Sequence, residues 1–251
     1  MHETLGRPRT VLHPSTVRAN RLLAAMPHDA LERLLQDIDR VWLDAGQVLY
    51  GLDGEVKYAY FPADVIVTLM LESSGRADTK VAMIGREGVL GVAAFIGAEQ
   101  PAGRRAVVLN GGYAFRLPVG ALKAEFDRNG PTMRLLLRFL QSLITQMAQT
   151  AVCNRHHNVE PQLSTWLLAC VDRLPAGTSL QVTQEQIAGM LGVRRECVSD
   201  AAGKLRQLGL IDFSRGRISL LDRPGLLARA CECYGVIKNE TERLLPDRPA
   251  T

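Results

Sequence analysis

Several things are scarce in this 251-residue chain, and each scarcity excludes something. Aromatic residues make up 5% against 47% hydrophobic residues in all, and no stretch approaches the ~18 uninterrupted apolar residues of a membrane span. The longest candidate, from Leu135 to Val152, is broken by Arg138, Gln141, Gln146 and Gln149. The first twenty residues hold charges and prolines but no apolar core, so no secretory signal is expected. The five cysteines are odd in number, and none precedes Cys153. That argues against a disulfide framework and for a reducing cytoplasm. Neither sign of charge dominates: 30 Lys+Arg face 26 Asp+Glu, a net charge of +4 too small to announce nucleic acid. No Gly-x-Ser-x-Gly, phosphate-loop or His-Glu-x-x-His pattern occurs, so an enzyme is not expected. What remains is a globular protein long enough for one large domain or two smaller ones.

The hydrophobic period divides the chain. From Val41 to Arg116, short runs rich in Val, Ile, Tyr and Phe (Val41–Tyr50, Tyr58–Leu71, Lys80–Ile84, Ala106–Leu109, Tyr113–Leu117) read as strands. They are separated by Asp53-Gly54, Ser73-Ser74-Gly75 and Asn110-Gly111-Gly112, and many short strands with Gly-rich turns predict a sandwich or roll. Asp29–Gln36 has helical spacing before it. After Pro131 the period changes: Leu136, Leu140, Leu143, Met147, Thr150 and Asn154 recur every three or four residues. That predicts a helix of about 25 residues, ~38 Å long, ending near Asn158–Pro161. Short helices, a strand pair and a final helix complete the reading. Residues 1–20 are expected to be a flexible tail, 21–130 a sensor roll, 131–158 the long helix and 159–251 a DNA-binding domain.

Val182 to Leu220 carries the strongest pattern. Thr183 can cap a helix, with Gln186 three residues on completing a capping box. Ile187, Ala188 and Leu191 face inward, Gly192 fits a tight turn, and Val193 fills the angle. A second helix over Arg194–Leu208 turns Val198, Ala201, Ala202 and Leu205 inward, and Arg194, Arg195, Glu196, Ser199, Lys204 and Arg206 outward. This is a helix-turn-helix layout, whose second helix enters the major groove. Strands flanking Arg215-Gly216 form a wing that would bring Arg215 and Arg217 to the DNA backbone. From Arg194 to Arg217 six basic residues meet three acidic ones, enough for a phosphate footprint. A helical hairpin that merely packs explains any one of these features and not their common register.

From Leu22 to Leu220 the chain resembles bacterial transcription regulators of the cyclic-AMP receptor/fumarate–nitrate regulator (Crp/Fnr) type. The resemblance rests on Tyr58-Ala59-Tyr60-Phe61-Pro62, the Gly88–Gly97 stretch, the long helix, Thr183-Gln184-Glu185, and Leu191-Gly192-Val193-Arg194-Arg195-Glu196-Cys197-Val198-Ser199. It implies an α+β chain with an N-terminal antiparallel β-roll (cyclic-nucleotide-binding-like), a long dimerisation helix and a C-terminal winged helix-turn-helix. It also implies that Arg195 and Glu196 read base edges. The chemistry agrees, since Arg donates bidentately to guanine and Glu accepts from cytosine N4. Where cyclic-AMP receptors place a second arginine four residues after the Glu, this chain has Asp200, so their half-site does not carry over.

The family's nucleotide cassette, Gly-Glu followed by Arg-Ser/Thr-Ala, is matched only by Gly91-Val92 and Arg104-Arg105-Ala106. The carboxylate for the ribose hydroxyl and the small hydroxyl are missing, and Glu87 and Glu99 lie out of register. Gly91, Arg104 and Arg105 are therefore candidates for some other anion, and cyclic AMP is not expected to act. Iron–sulfur members use an N-terminal cysteine cluster that this chain lacks. Cys153 and His156 or His157 share a helix face and could ligate a metal given one more donor, but no regular second pair is visible, and a hinge or interface role is favoured. Cys231-Glu232-Cys233 on a helix would point its sulfurs about 200° apart. No cofactor or metal is expected. Leu136, Leu140, Leu143 and Met147 are the expected dimer seam; packing on the chain's own roll is compatible with the same stripe.

The expected protein is a cytoplasmic, homodimeric regulator that binds an inverted-repeat operator on double-stranded DNA. RNA polymerase is a further partner to consider, the effector is unknown, and no membrane is involved. The alternative is an anion- or nucleotide-binding module whose helix-turn-helix serves as a protein contact; Asp200 and the low net charge favour it.

Overall fold

The structure, a computed structural model, describes residues 12–50, 56–73, 76–97 and 104–245. Three short helices come first: α1 (Pro14–Val17), α2 (Arg21–Ala25) and α3 (His28–Leu35). The flexible tail expected up to residue 20 needs correction where the described chain begins, because Val17 and Asn20 are fully buried. The Asn20 Oδ1 caps α2, and its Nδ2 donates to the carbonyls of Pro62 and Gly88, 2.9 Å each. Residues 1–11 lie outside the described residues.

Seven strands follow: β1 (Asp39–Leu43), β2 (Val48–Tyr50), β3 (Tyr58–Pro62), β4 (Ile66–Ser73), β5 (Arg76–Ile84), β6 (Arg104–Asn110) and β7 (Gly112–Pro118), with α4 (Val92–Phe95) between β5 and β6. They form two antiparallel sheets, β1-β7-β3 and β2-β6-β4-β5, which enclose Phe61, Val67, Ala106, Val108, Phe115 and Leu117. Two of the predicted runs each contain two strands. Gly46, at φ +84°, turns the chain between β1 and β2; Asp64, whose carboxylate takes the Tyr113 N–H, turns it between β3 and β4. The expected turns at Asp53-Gly54 and Ser74-Gly75 lie outside the described residues.

After α5 (Val119–Phe126) comes α6 (Pro131–His156), 26 residues with proline at its first position, where a missing N–H costs nothing. Next are α7 (Val159–Val171), β8 (Leu180–Gln181), α8 (Gln184–Leu191), α9 (Arg195–Gln207), β9 (Ile211–Ser214), β10 (Arg217–Leu220), α10 (Arg223–Arg229) and α11 (Glu232–Leu244). The long helix ends at His156, with His157 as its C-cap, and Pro161 sits within the first turn of α7 instead of causing the break. A second core gathers Leu163, Trp166, Ile187, Val198, Leu205 and Ile218 under the three-stranded sheet β8-β10-β9.

Two helices, not one, close the described chain, because Asp222 caps α10 and the chain turns again at Ala230. α11 packs back along α6, and Leu244 and Leu245 reach the roll's core. The C-terminal segment is thus shared between the two halves and does not belong wholly to the 159–251 unit read from sequence. At the junction, the Arg173 Nε donates to the Glu87 Oε1 at 2.8 Å with both side chains about nine-tenths buried. Gly85 leaves room for that arginine: a Cβ there would lie 2.6 Å from the Arg173 Cγ. No helix among the described residues is long and apolar enough to cross a membrane.

Candidate DNA-reading surface and sensor cavity

The helix-turn-helix forms as its local chemistry dictates. The Thr183 Oγ1 accepts the Gln186 N–H (3.2 Å), and the Gln186 Oε1 accepts the Thr183 N–H (2.8 Å), so two unsatisfied donors at the start of α8 are met. Gly192 takes φ +67° at the turn, and Val193 is half-buried beneath it. Arg194 stands at the N-cap of α9, with Arg195 and Glu196 in its first turn. Val198, Ala201, Ala202 and Leu205 anchor this helix inward, while Arg194, Arg195, Glu196, Lys204 and Arg217 are exposed without an ion pair among the described residues.

Three other candidates are engaged internally. The half-buried Ser199 donates to the Gln184 Oε1 at 2.6 Å, which ties α9 to α8, and the Thr183 hydroxyl serves the cap. Their polar capacity toward an outside partner is reduced accordingly. Asp200 is exposed beside them. In the wing, Arg215 (φ +50°) and Gly216 (φ +73°) make a two-residue turn of the hand that matches hairpin twist, with Arg217 opposite Ser214. The strand β8, which adds Leu180 and Gln181 to the far edge of β10, was not legible from two residues of pattern.

A cavity of about 440 Å³ lies between the roll and α6. It brings together the three effector candidates Gly91, Arg104 and Arg105. Gly91 adopts φ +90°, and a Cβ there would meet the Tyr58 carbonyl at 3.2 Å. Val92, in the place of the family's carboxylate, also faces the cavity. Glu87 does not, being held by Arg173; Glu99 lies outside the described residues. Two lining residues were missed in the sequence. Burial raises the pKa of the Tyr50 hydroxyl to about 12, against a hydrogen bond from the Gly91 backbone and the charge of Arg104. Lys80, 8% exposed, has its pKa lowered to about 8, chiefly by burial; the charge of Arg173 adds to this, while Cys170 and Cys153 oppose it. A lysine directly preceding the apolar Val81–Ile84 end of β5 is the signal that could have found it.

The residues expected to form a dimer seam face the chain's own fold to differing degrees. Leu136 and Leu143 are buried in the chain's own core, and Leu140 and Met147 are half-buried. The large apolar side chains of α6 that stand outward are Leu137 (45% exposed), Ile144 (59%) and Val152 (43%); Leu137 and Ile144 are seven residues apart on one face, with the exposed Ala151 a further seven along. The helix is apolar over more than one face, so a stripe in the sequence could not say which neighbour each leucine meets.

Residues 162–229 match the family model described as a Crp-like helix-turn-helix domain. No curated protein matches the sequence. Among solved structures, FixK2 from Bradyrhizobium japonicum aligns with a TM-score of 0.63 at 17% identity, covering 77% of this chain and 98% of that one. A transcriptional regulator of the CRP/FNR family from Thermus thermophilus aligns at 0.59 and 22%, covering 76% and 98%. The c-di-GMP responsive global regulator CLP from Xanthomonas campestris aligns at 0.59 and 15%, covering 77% and 99%. Residues 162–229 are a Crp-like helix-turn-helix domain, carried in a chain with the fold of the Crp/Fnr transcriptional regulators.

Proposed function

We propose that the protein regulates transcription in the bacterial cytoplasm as a homodimer on an inverted-repeat operator, under control of an anionic ligand other than cyclic AMP. The observation that carries this is the start of α9, where Arg194, Arg195 and Glu196 stand exposed, with no ion pair among the described residues, on a helix that Ser199 ties to α8. A donor pair and an acceptor at that point suit guanine and cytosine edges in the major groove. Lys204 and Arg217 flank them as backbone contacts, and RNA polymerase is a further partner of this reading if the protein activates its operator. Arg195→Ala is expected to cost about 1–3 kcal/mol on the operator and relax preference at one base pair, whereas Lys204→Ala weakens all sequences alike. Equal losses on operator and random DNA for both variants would remove Arg195 from base reading.

The seam is assigned to Leu137, Ile144 and Ala151. Ile144→Glu should yield a monomer with poor DNA affinity, read by sedimentation at micromolar concentration. Leu143→Glu, by contrast, should first damage the roll's core. Half-sites should lie one DNA turn apart, as a two-fold dimer requires.

Lys80, Arg104 and Arg105 around an apolar cavity favour an anionic, partly apolar effector. For cyclic AMP, a ribose hydroxyl opposite Val92 would lose its charged acceptor, and an unpaired buried polar group costs about 1–3 kcal/mol. Calorimetry should find no tight cyclic-AMP complex; a micromolar or better Kd would overturn that. The rival reading, a protein-contact module, is favoured by the exposed Asp200. Salt titration on generic DNA separates the two, because phosphate contacts make affinity fall steeply with salt.

A further inference from the structure

At the base of α6 the fold assembles a group of side chains that neither the DNA surface nor the cavity uses. Cys153 lies in the last turn of α6, and His157 is that helix's C-cap. Cys231 and Cys233 arrive 78 and 80 residues later at the start of α11. Cys231 is the N-cap, in extended backbone (φ −78°, ψ 164°), so the two sulfurs are not splayed about a helix as their spacing alone predicts. Both are buried. The three Sγ atoms and one His157 ring nitrogen all lie within 4.8 Å of one another. His156 is exposed and takes no part.

The geometry points to a zinc site with Cys153, His157, Cys231 and Cys233 as its four ligands. Zinc takes sulfur at ~2.3 Å and imidazole nitrogen at ~2.0–2.1 Å in a tetrahedron, whose S···S edge is then about 3.8 Å and S···N edge about 3.6 Å. Here the Cys153 and Cys231 sulfurs are 3.6 Å apart, and the Cys233 Sγ is 3.5 Å from the His157 Nδ1. A disulfide needs sulfurs at ~2.05 Å, and one between Cys153 and Cys231 would leave Cys233 and His157 without a purpose.

The surroundings are those of a metal centre. With Nδ1 directed at the group, the His157 Nε2–H donates to the Glu232 Oε1 at 3.1 Å. A carboxylate on the far ring nitrogen is the usual device that fixes a ligating imidazole. Donors also point at the sulfurs. The Gln149 Nε2 donates to the Cys233 Sγ at 3.2 Å. The Thr165 Oγ1 accepts the Cys231 N–H, leaving its own O–H for the Cys231 Sγ at 3.1 Å. Thiols packed as small apolar groups would explain the burial, but not the buttressed histidine or the donors.

Four protein ligands leave no open position, so the site is structural. It joins the end of the long helix, its hinge and the returning C-terminal helix, and thereby sets how the DNA-reading half hangs from the rest. It is independent of the proposed operator and effector.

The test measures zinc in purified full-length protein by mass spectrometry of the metal. About one zinc per chain is expected in the wild type and in Cys197→Ser, whose thiol is exposed and remote; Cys231→Ser and Cys233→Ser should lose it. Glu232→Gln should keep the fold but bind zinc about 10–100-fold more weakly. Stripped wild-type protein should take up one equivalent of Co²⁺ with the visible bands of tetrahedral thiolate coordination, a reading that does not depend on any variant folding. Wild-type protein with no zinc and no such cobalt spectrum overturns the site. So does stoichiometric iron in its place, or a Cys153–Cys231 disulfide in the intact mass.

Discussion

Glu87→Ala is expected to destabilise the protein by about 3–5 kcal/mol, because it strands a buried guanidinium. The Arg173 Nε donates to the Glu87 Oε1 at 2.8 Å, with both side chains about nine-tenths buried, and its Nη1 donates to the Ala169 carbonyl. Glu87 in turn accepts the Gly85 N–H at 3.2 Å. Removing Glu87 leaves the buried guanidinium the neutral Ala169 carbonyl in place of its counter-charge, and the cost of that exceeds the worth of the pair itself. The double variant Glu87→Leu/Arg173→Met should therefore recover most of the loss, since apolar side chains of similar volume leave nothing stranded. Exposed pairs set the comparison: Arg243→Ala, which removes a surface arginine from Glu240, should change stability by less than about 1 kcal/mol. Denaturant unfolding of the four proteins decides the matter. If Glu87→Ala matches Arg243→Ala, the junction is not buried in solution. The pair also carries a functional expectation. It joins the turn after β5 to the end of α7, so the double variant, though folded, should couple cavity occupancy to DNA affinity more weakly than the wild type.

What was legible in the sequence was local. Thr183 and Gln186 are three residues apart, Gly192 marks the turn, and the inward face of α9 repeats within two turns; each cue lies inside the element it specifies. The strands of the roll were legible as runs, but the split of Tyr58–Leu71 depends on Asp64 reaching the Tyr113 N–H 49 residues away. The same limit applies to the sites. Leu136 and Leu143 look like seam residues because periodicity reports an apolar face and not the surface it meets. Cys153 and His157 were visible as a half-set of ligands, yet their partners stand 74 or more residues downstream and are brought in by α11 folding back on α6. Glu87 lies near the cassette in sequence but out of its register. Its real partner, Arg173, belongs to the other half of the chain.

Lys80→Met should raise stability near neutral pH by about 2–3 kcal/mol, at the expense of ligand binding. Lys80 is 8% exposed, and burial lowers its pKa from 10.5 to about 8. Each unit of such a shift is worth about 1.4 kcal/mol between the two protonation states. The groups that act on it electrostatically are Cys170, Arg173 and Cys153; Arg173 repels it and is itself held by Glu87. Below pH 8 the lysine is charged in both the folded and unfolded chains, and the folded protein bears the full cost of burying that charge. Between about 8 and 10.5 the folded chain holds the neutral amine while the unfolded chain stays protonated, so wild-type stability rises with pH across this window relative to the variant. Above it the advantage of methionine falls to the small difference in packing. Subtracting variant from wild-type stability at each pH removes the titration of every other group. A difference that is flat from about pH 7 to 11 would mean the amine is hydrated and not buried. A cavity that keeps a charged lysine among apolar walls is ready for an anion, which would compensate the charge and raise its pKa. Anionic ligands should accordingly stabilise the wild type well below pH 8 and progressively less above it. Lys80→Met should respond weakly throughout, leaving only Arg104 and Arg105 to hold the ligand.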